Sequence, residues 1–242
     1  MKNLLFFAGL ILFCSTAATA QRLEYGLKGG TNISLITDAD YKFKSVKVAP
    51  GFMAGFYART NTRRIGAQIE AIYASKQWGT EEERTGQSNT TILRQLDTKN
   101  GYLSIPVMFY AKLGRLDIGA GPQLNALLTS VAKGQELIKN IQSGNTEAIK
   151  DLAYDYLKDK IGEGAYADIP AGTPQEGSLY EKMGLDANFG LGLNLKRTRI
   201  EGRLNYGLTD VMNNYYVKFL NPSAYDNSEK LISGQVILSI KL

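Results

Sequence analysis

The chain has 242 residues, contains no histidine and has a single cysteine near its N-terminus. Without histidine it has no Ser-His or Cys-His catalytic pair, and zinc loses its preferred nitrogen ligand. The formal net charge of +5 comes from Lys and Arg residues interspersed with acidic ones, a pattern that does not indicate nucleic-acid binding. The sequence therefore predicts no catalytic residue, no cofactor, no metal site and no nucleic-acid partner.

Residues 1–20 have the composition of a secretory signal peptide. Lys2 supplies a short basic region, an apolar run too short to span a bilayer follows, and small residues precede the cleavage expected before Gln21. Residues 21–242 are then the mature domain. Since no later apolar run has the length of a transmembrane helix, a membrane location requires a closed sheet.

Apolar and polar residues alternate along eight segments of the mature chain, which is the pattern of strands with one apolar face. In residues 101–128 the apolar side chains occupy odd positions before Gly114-Arg115 and even positions after it. A two-residue turn requires this change of parity, and it sets Lys112 opposite Asp117 as a cross-strand ion pair. In chain order the predicted strands lie in residues 23–35, 46–59, 65–76, 101–128 (two strands), 183–196, 200–208 and 230–242.

Strand and loop lengths favour a transmembrane barrel over a soluble sandwich. The predicted strands have about 10 residues or more, as a tilted membrane-crossing strand needs, whereas strands of soluble proteins have about five or six. Short connections alternate with long ones, as in barrels with tight turns at one end and long loops at the other. We therefore predict an all-β fold, an eight-stranded antiparallel transmembrane β-barrel with up-and-down meander topology. It would lie in the outer membrane of a Gram-negative bacterium, surrounded by outer-membrane lipid, with its loops facing outside.

The third long loop, residues 132–180, contains a predicted helix. Asn145 is a suitable N-cap, and apolar residues then recur at helical spacing. The face that they form needs a covering surface, which is either a partner protein or the mouth of the barrel, where the helix would act as a lid. The residues of this candidate partner or lid face are Ile149, Leu152, Tyr156 and Leu157.

Charged residues of both signs fall on the predicted inward faces of the strands. A lone charge in a narrow lumen is costly, so a mixed set predicts ion pairs that compensate one another. The alternative, catalysis by carboxylates alone, would need an unpaired acid in an open cavity. The predicted lumenal ion-pair network consists of Glu24, Lys28, Glu70, Lys112, Asp117, Asp186, Glu201 and Arg203.

Four segments of the sequence resemble the PorT-like outer-membrane β-barrel family of Bacteroidetes. They are GLKGGTNIS at residues 26–34, YLSIPVMFYAKLG at 102–114, GAGPQLNALLTS at 119–130 and R-x-x-YGLTD at 203–210. The resemblance implies an eight-stranded integral outer-membrane barrel. One member of that family serves the type IX secretion system, which implies a secretion role. The sequence departs from the family in its long third loop and in ending at Leu242 rather than at an aromatic residue.

These observations predict a non-enzymatic, monomeric outer-membrane barrel. It would act as a structural or accessory interaction protein with an envelope or secretion protein as partner. The alternative is a small transport or ligand-binding barrel gated by the third outer loop. An eight-stranded barrel is only wide enough to be filled by its own side chains, which argues against a wide pore.

Overall fold

The structure is a computed structural model that describes residues 22–37, 44–61, 64–85, 90–140, 146–155, 180–211 and 230–242. The predicted signal peptide lies outside these residues. Within them the protein is entirely β, and no helix is long and apolar enough to span a bilayer. The strands are β1 (Arg22–Thr37), β2 (Lys44–Asn61), β3 (Ile65–Thr85), β4 (Thr90–Leu113), β5 (Leu116–Asn140), β6 (Thr146–Asp155), β7 (Met183–Asn194), β8 (Thr198–Gly207) and β9 (Lys230–Lys241).

The strands form one antiparallel sheet that closes on itself. Each of β1 to β5 pairs with the next strand along the chain, β5 pairs with β7, and β7, β8 and β9 follow in order. Pairing of β9 with β1 completes the ring, from Gly26 opposite Lys241 to Thr37 opposite Lys230. The prediction of an all-β, antiparallel, closed fold is therefore confirmed.

Alternation along the strands separates an apolar outer surface from a polar interior. Phe56 and Phe109 are 65% and 60% exposed, whereas the next residues along the chain, Tyr57 and Tyr110, are buried. Outward-facing aliphatic and aromatic side chains recur on the other strands of the ring, and most buried side chains are polar or charged. This distribution is the reverse of that in a soluble protein and fits a barrel whose surrounding solvent is lipid.

The turn between β4 and β5 has the predicted register. Leu113 lies opposite Leu116 and Lys112 opposite Asp117, so two residues connect the strands. Gly114 has φ +66°, in the left-handed region that two-residue hairpin turns require and that glycine adopts without strain. The change of parity in the sequence thus corresponds to a tight turn.

Three strands continue well beyond the ring and form an arm together with β6. The arm consists of residues 79–85 of β3, 90–98 of β4, 131–140 of β5 and β6. Much of the two segments expected to be loops, around residues 77–100 and 129–140, is therefore sheet. The sequence predicted eight strands, and β6 is an additional one outside the ring.

The helix predicted from Asn145 is wrong over Thr146–Asp155, which is β6. Its backbone pairs with β5 from Val131 opposite Asp155 to Lys139 opposite Thr146. On the edge of β5 that faces away from β4, β7 pairs only with residues 116–126. The remaining edge of β5 offers unpaired backbone groups that β6 satisfies. Ile149 and Leu152 lie in β6, whereas Asn145, Tyr156 and Leu157 lie outside the described residues.

Candidate functional site in the barrel interior

Four charged side chains meet at one level of the lumen because β1, β3 and β8 each turn an inward position toward it. Lys28 Nζ lies 2.7 Å from Glu70 Oε1 and 3.0 Å from Glu201 Oε2. Arg203 donates to both oxygens of Glu70, at 3.1 and 2.7 Å, and its Nη2 is 2.8 Å from Glu201 Oε1. All four side chains are at most 1% exposed. Each carboxylate is therefore held by two cations out of contact with water.

A second group of charges adjoins the first on the side of the short turns. Arg59 Nη2 lies 2.6 Å from Asp117 Oδ2, and Arg199 Nε lies 3.3 Å from the same oxygen. Arg199 Nη1 is also 2.8 Å from Glu201 Oε2 and so connects the two groups. The Arg59 guanidinium stacks 3.7 Å from the centre of the Tyr110 ring, a favourable cation–π geometry. We call the seven charged residues of both groups the ion layer: Lys28, Arg59, Glu70, Asp117, Arg199, Glu201 and Arg203.

The remaining predicted network residues lie outside this layer. Glu24 accepts hydrogen bonds from Lys241 Nζ at 2.9 Å and from the Tyr57 hydroxyl at 3.2 Å. It is partly exposed and lies near the seam where β1 pairs with β9. Asp186 lies nearer the long-loop end of the lumen, 3.6 Å from Lys76 Nζ. Lys112 is opposite Asp117 in the register, with its Nζ 5.7 Å from the Tyr110 ring centre.

Sequence reasoning missed Arg199, which connects the two halves of the ion layer. The predicted strand began at residue 200, so Arg199 was left in the turn, whereas β8 begins at Thr198. Its odd number was the available signal, because inward Glu201 and Arg203 follow on the same face. Arg59, Lys76 and Lys241, which the alternation of the strands also places on inward faces, contact Asp117, Asp186 and Glu24 respectively.

Between the ion layer and the long-loop end, the lumen contains two apolar clusters among buried amide and hydroxyl side chains. Met53, Ile72, Ala74 and Ile237 form one buried cluster. Toward the long-loop end, the Trp78 and Tyr180 rings meet edge to face with centres 5.8 Å apart. They belong to a second cluster that we call the aromatic cap: Trp78, Tyr102, Leu127, Ala132, Tyr180, Val211 and Leu231.

A small cavity lies beneath the aromatic cap. It has a volume of about 30 Å³ and is lined by Lys76, Tyr102 and Asp186 among others. This is room for one or a few water molecules. The cavity is too small to hold an organic ligand.

The interior offers little to acid–base or metal chemistry. Glu70, Glu201 and Asp186, the acids that carboxylate catalysis would use, each have a cation within 3.6 Å. Across the described part of the chain, no three acidic or other metal-ligating residues come together to hold a metal ion. The arrangement can neutralise charge and resist water, and both are structural tasks.

Comparison with known proteins identifies the kind of protein to which this barrel is similar. A family model described as "Outer membrane protein beta-barrel domain" matches residues 16–213. The search of curated proteins found no match.

Two solved structures illustrate the likeness to other barrels. The first is Ail, the attachment invasion locus protein of Yersinia pestis, in complex with the heparin analogue sucrose octasulfate. It is 14% identical with a TM-score of 0.42, covering 91% of this chain and 99% of that one. The second is Neisserial surface protein A, 8% identical with a TM-score of 0.36, covering 90% of this chain and 97% of that one.

Proposed function

Because this chain belongs to the outer membrane protein beta-barrel domain family, we propose that it is a non-enzymatic anchor in the outer membrane of a Gram-negative bacterium. It presents its arm to a protein partner of the envelope or of a secretion system. Residues 1–20 act as the signal peptide, and the short turns face the periplasm while the arm faces outside. The four PorT-like segments support the secretion role within this proposal.

The filled lumen is the observation that supports an anchor over a transporter. A permeating solute would have to displace the ion layer, whose carboxylates are each held by at least two cations, and then the aromatic cap. Breaking a buried ion pair by removing one partner costs about 3–5 kcal/mol, so an opening of this kind is strongly unfavourable. The function of the protein then depends on the parts of the chain outside the lumen.

The arm has the features of a surface that binds an extended peptide. In the described part of the chain, β6 pairs with β5 alone, so its far edge carries backbone donors and acceptors that no other described strand uses. An extended segment of a partner can add to such an edge as a further strand. Residues exposed on the arm include Gln95, Lys133 and Asp151, which are hydrophilic and suit a water-facing interface.

Conductance in planar bilayers separates the anchor from the transport alternative. We expect no steady conductance from the full-length mature protein, nor from a variant in which residues 141–179 are replaced by a short Gly-Ser linker. Because the ion layer and the cap residue Tyr180 remain in that variant, the lumen should stay filled. Steady channels on deletion would support a transport barrel gated by the third loop instead.

Site-specific photo-crosslinking in cells tests the interaction surface. A photoreactive residue replaces Asp151 on β6, and the matched control replaces Lys196, which is also exposed but lies in a short turn at the other end. We expect a discrete protein adduct from position 151 and none of the same mass from position 196. Identical adducts at both positions, or lipid adducts alone, would contradict a role for the arm.

A further inference from the structure

The lipid-facing wall of the barrel carries an apolar groove of about 690 Å³ near the short-turn end. It crosses β3, β4, β5, β7 and β8, where outward side chains lie in two cross-strand rows. In one row Phe109 and Phe189 stand on either side of Ala120, each opposite it in the register. Two aromatic walls and a small residue between them make a concave surface rather than the even surface of a uniformly packed wall.

The second row of the groove ends on a glycine. Across the strands it runs Ile65, Ala111, Ile118, Leu191 and Gly202. A Cβ added to Gly202 would meet no other atom within 4 Å, so the surface above it is open to the membrane. The depression is therefore a fixed property of the sheet and is set by where small residues fall.

The short turns next to the groove are basic. Residues 60–64, 112–116 and 194–198 contain six Lys and Arg residues and no acidic residue. The exposed cations of these turns are Arg64, Arg115, Lys196 and Arg197, which we call the basic turns.

Backbone hydrogen bonds hold the basic turns beside one another. Lys112 N donates to Arg64 O at 2.7 Å, and Asn194 N donates to Arg115 O at 2.7 Å. Arg64 immediately precedes Ile65 in the groove, and Arg115 is three residues before Ile118, about 10 Å along a strand. An apolar groove and a cationic rim thus adjoin at the spacing of a lipid chain and its headgroup.

We propose that this groove and the basic turns form a binding site for one anionic phospholipid. An acyl chain lies in the groove between the two aromatic walls, and the phosphate lies among the guanidinium and ammonium groups of the turns. A bare lipid-facing groove would accept any acyl chain equally. The neighbouring cations, with no acid in the three turns, select a lipid whose headgroup carries net negative charge.

Native mass spectrometry of the detergent-solubilised mature protein tests the site. The protein is equilibrated with equal amounts of dioleoyl-phosphatidylglycerol and dioleoyl-phosphatidylcholine, which share their chains and differ in headgroup charge. We expect one retained lipid per barrel with a preference of about tenfold or more for the anionic lipid, since each nearby cation contributes about fivefold. The preference should shrink as salt is raised.

Two pairs of variants separate the headgroup from the chain. Replacing Arg64, Arg115 and Arg197 together by Gln should reduce the preference to about fivefold or less, because Lys196 is then the one cation of the basic turns that remains. The same change at Lys99, Lys133 and Lys139, exposed cations in or next to the arm, should leave the preference unchanged. Gly202→Leu fills the groove and should weaken retention of both lipids about tenfold, by excluding roughly two methylene groups of the chain. Gly234→Leu is the matched control, because Gly234 also faces lipid with open space above it but does not line the groove.

The shift in apparent mass on heating, typical of folded barrels, verifies that each variant is folded. Equal retention of the two lipids by the unaltered protein would overturn the proposal. So would an equal loss in Gly202→Leu and Gly234→Leu, or in the two triple variants.

Discussion

The two ends of the lumen are filled by opposite chemistry on the same scaffold. Toward the short turns the ion layer packs charge against charge, whereas toward the long loops the aromatic cap packs rings and aliphatic groups. All of the ion layer and most of the aromatic cap occupy inward positions of an alternating sheet, so the pattern alone does not distinguish them. The comparison shows that the space inside a barrel needs to be filled and its buried charges paired, but that its side chains need not be polar throughout.

The difference predicts different responses to substitution. Each member of the ion layer is favourable only while its partners are present, because a buried charge without a partner is penalised by desolvation. Each member of the cap contributes through its own volume and apolar area, so its loss costs a cavity. A substitution in the ion layer should therefore lower the free energy of unfolding more than one in the aromatic cap. A second substitution, one that removes the charge left without a partner, should restore part of that loss.

The largest effect is expected for Arg203→Met. This change leaves Glu70 and Glu201 buried with fewer cations, and we expect it to lower the free energy of unfolding by about 3–5 kcal/mol. Urea unfolding in detergent micelles, followed by the fluorescence of the only tryptophan, Trp78, measures it. Adding Glu70→Gln to Arg203→Met should restore part of the loss. A loss below about 1 kcal/mol would mean that the ion layer is not a stabilising unit.

A smaller effect is expected for Leu127→Ala in the aromatic cap. The substitution removes buried aliphatic volume and should cost about 2–3 kcal/mol, with no dependence on salt. The same urea titration applies, since Trp78 is retained as the probe. The comparison of the two ends would fail if this variant were less stable than Arg203→Met, or if a second-site charge change repaired it.

The smallest effect is expected for Glu24→Gln. The Glu24 side chain is 21% exposed and its partner Lys241 is 40% exposed, so water already screens the pair at 2.9 Å. We expect less than about 1 kcal/mol of destabilisation, diminishing further at high salt. An effect as large as that of Arg203→Met would show that the seam between β1 and β9, rather than the ion layer, controls stability.

The ring could be predicted because its strands obey a local rule. Inward and outward positions are set by parity, and the apolar residues on either side of Gly114-Arg115 show where the parity changes. The inward placement of the acids and bases followed from the same rule. The specific pairs did not, because Asp117 binds Arg59, on a strand distant in sequence, and Arg199, beyond the predicted end of its strand.

The arm could not be predicted because non-local pairing decides its structure. The residues around Ile149 and Leu152 have apolar spacing that suits a helix, and only the unpaired edge of β5 makes them a strand. The groove likewise depends on which outward side chains become neighbours across five strands. The sequence shows Ala120 and Gly202 as small residues 82 positions apart, and only the register brings them to the same surface.

Closure of the ring by β9 against β1 imposes an order on assembly. Lys28 is separated from Glu201 by 173 residues, so the first strand finds part of its charge compensation only after the penultimate strand has arrived. A partly built sheet would present these charges to hydrocarbon, at a cost that rises the deeper it inserts. We therefore expect membrane insertion and closure to be coupled, and a truncated chain lacking the last two strands to be unstable in the bilayer. Only the complete set of strands can pair all of the interior charges, so these charges favour insertion of the complete barrel over insertion of a partial one.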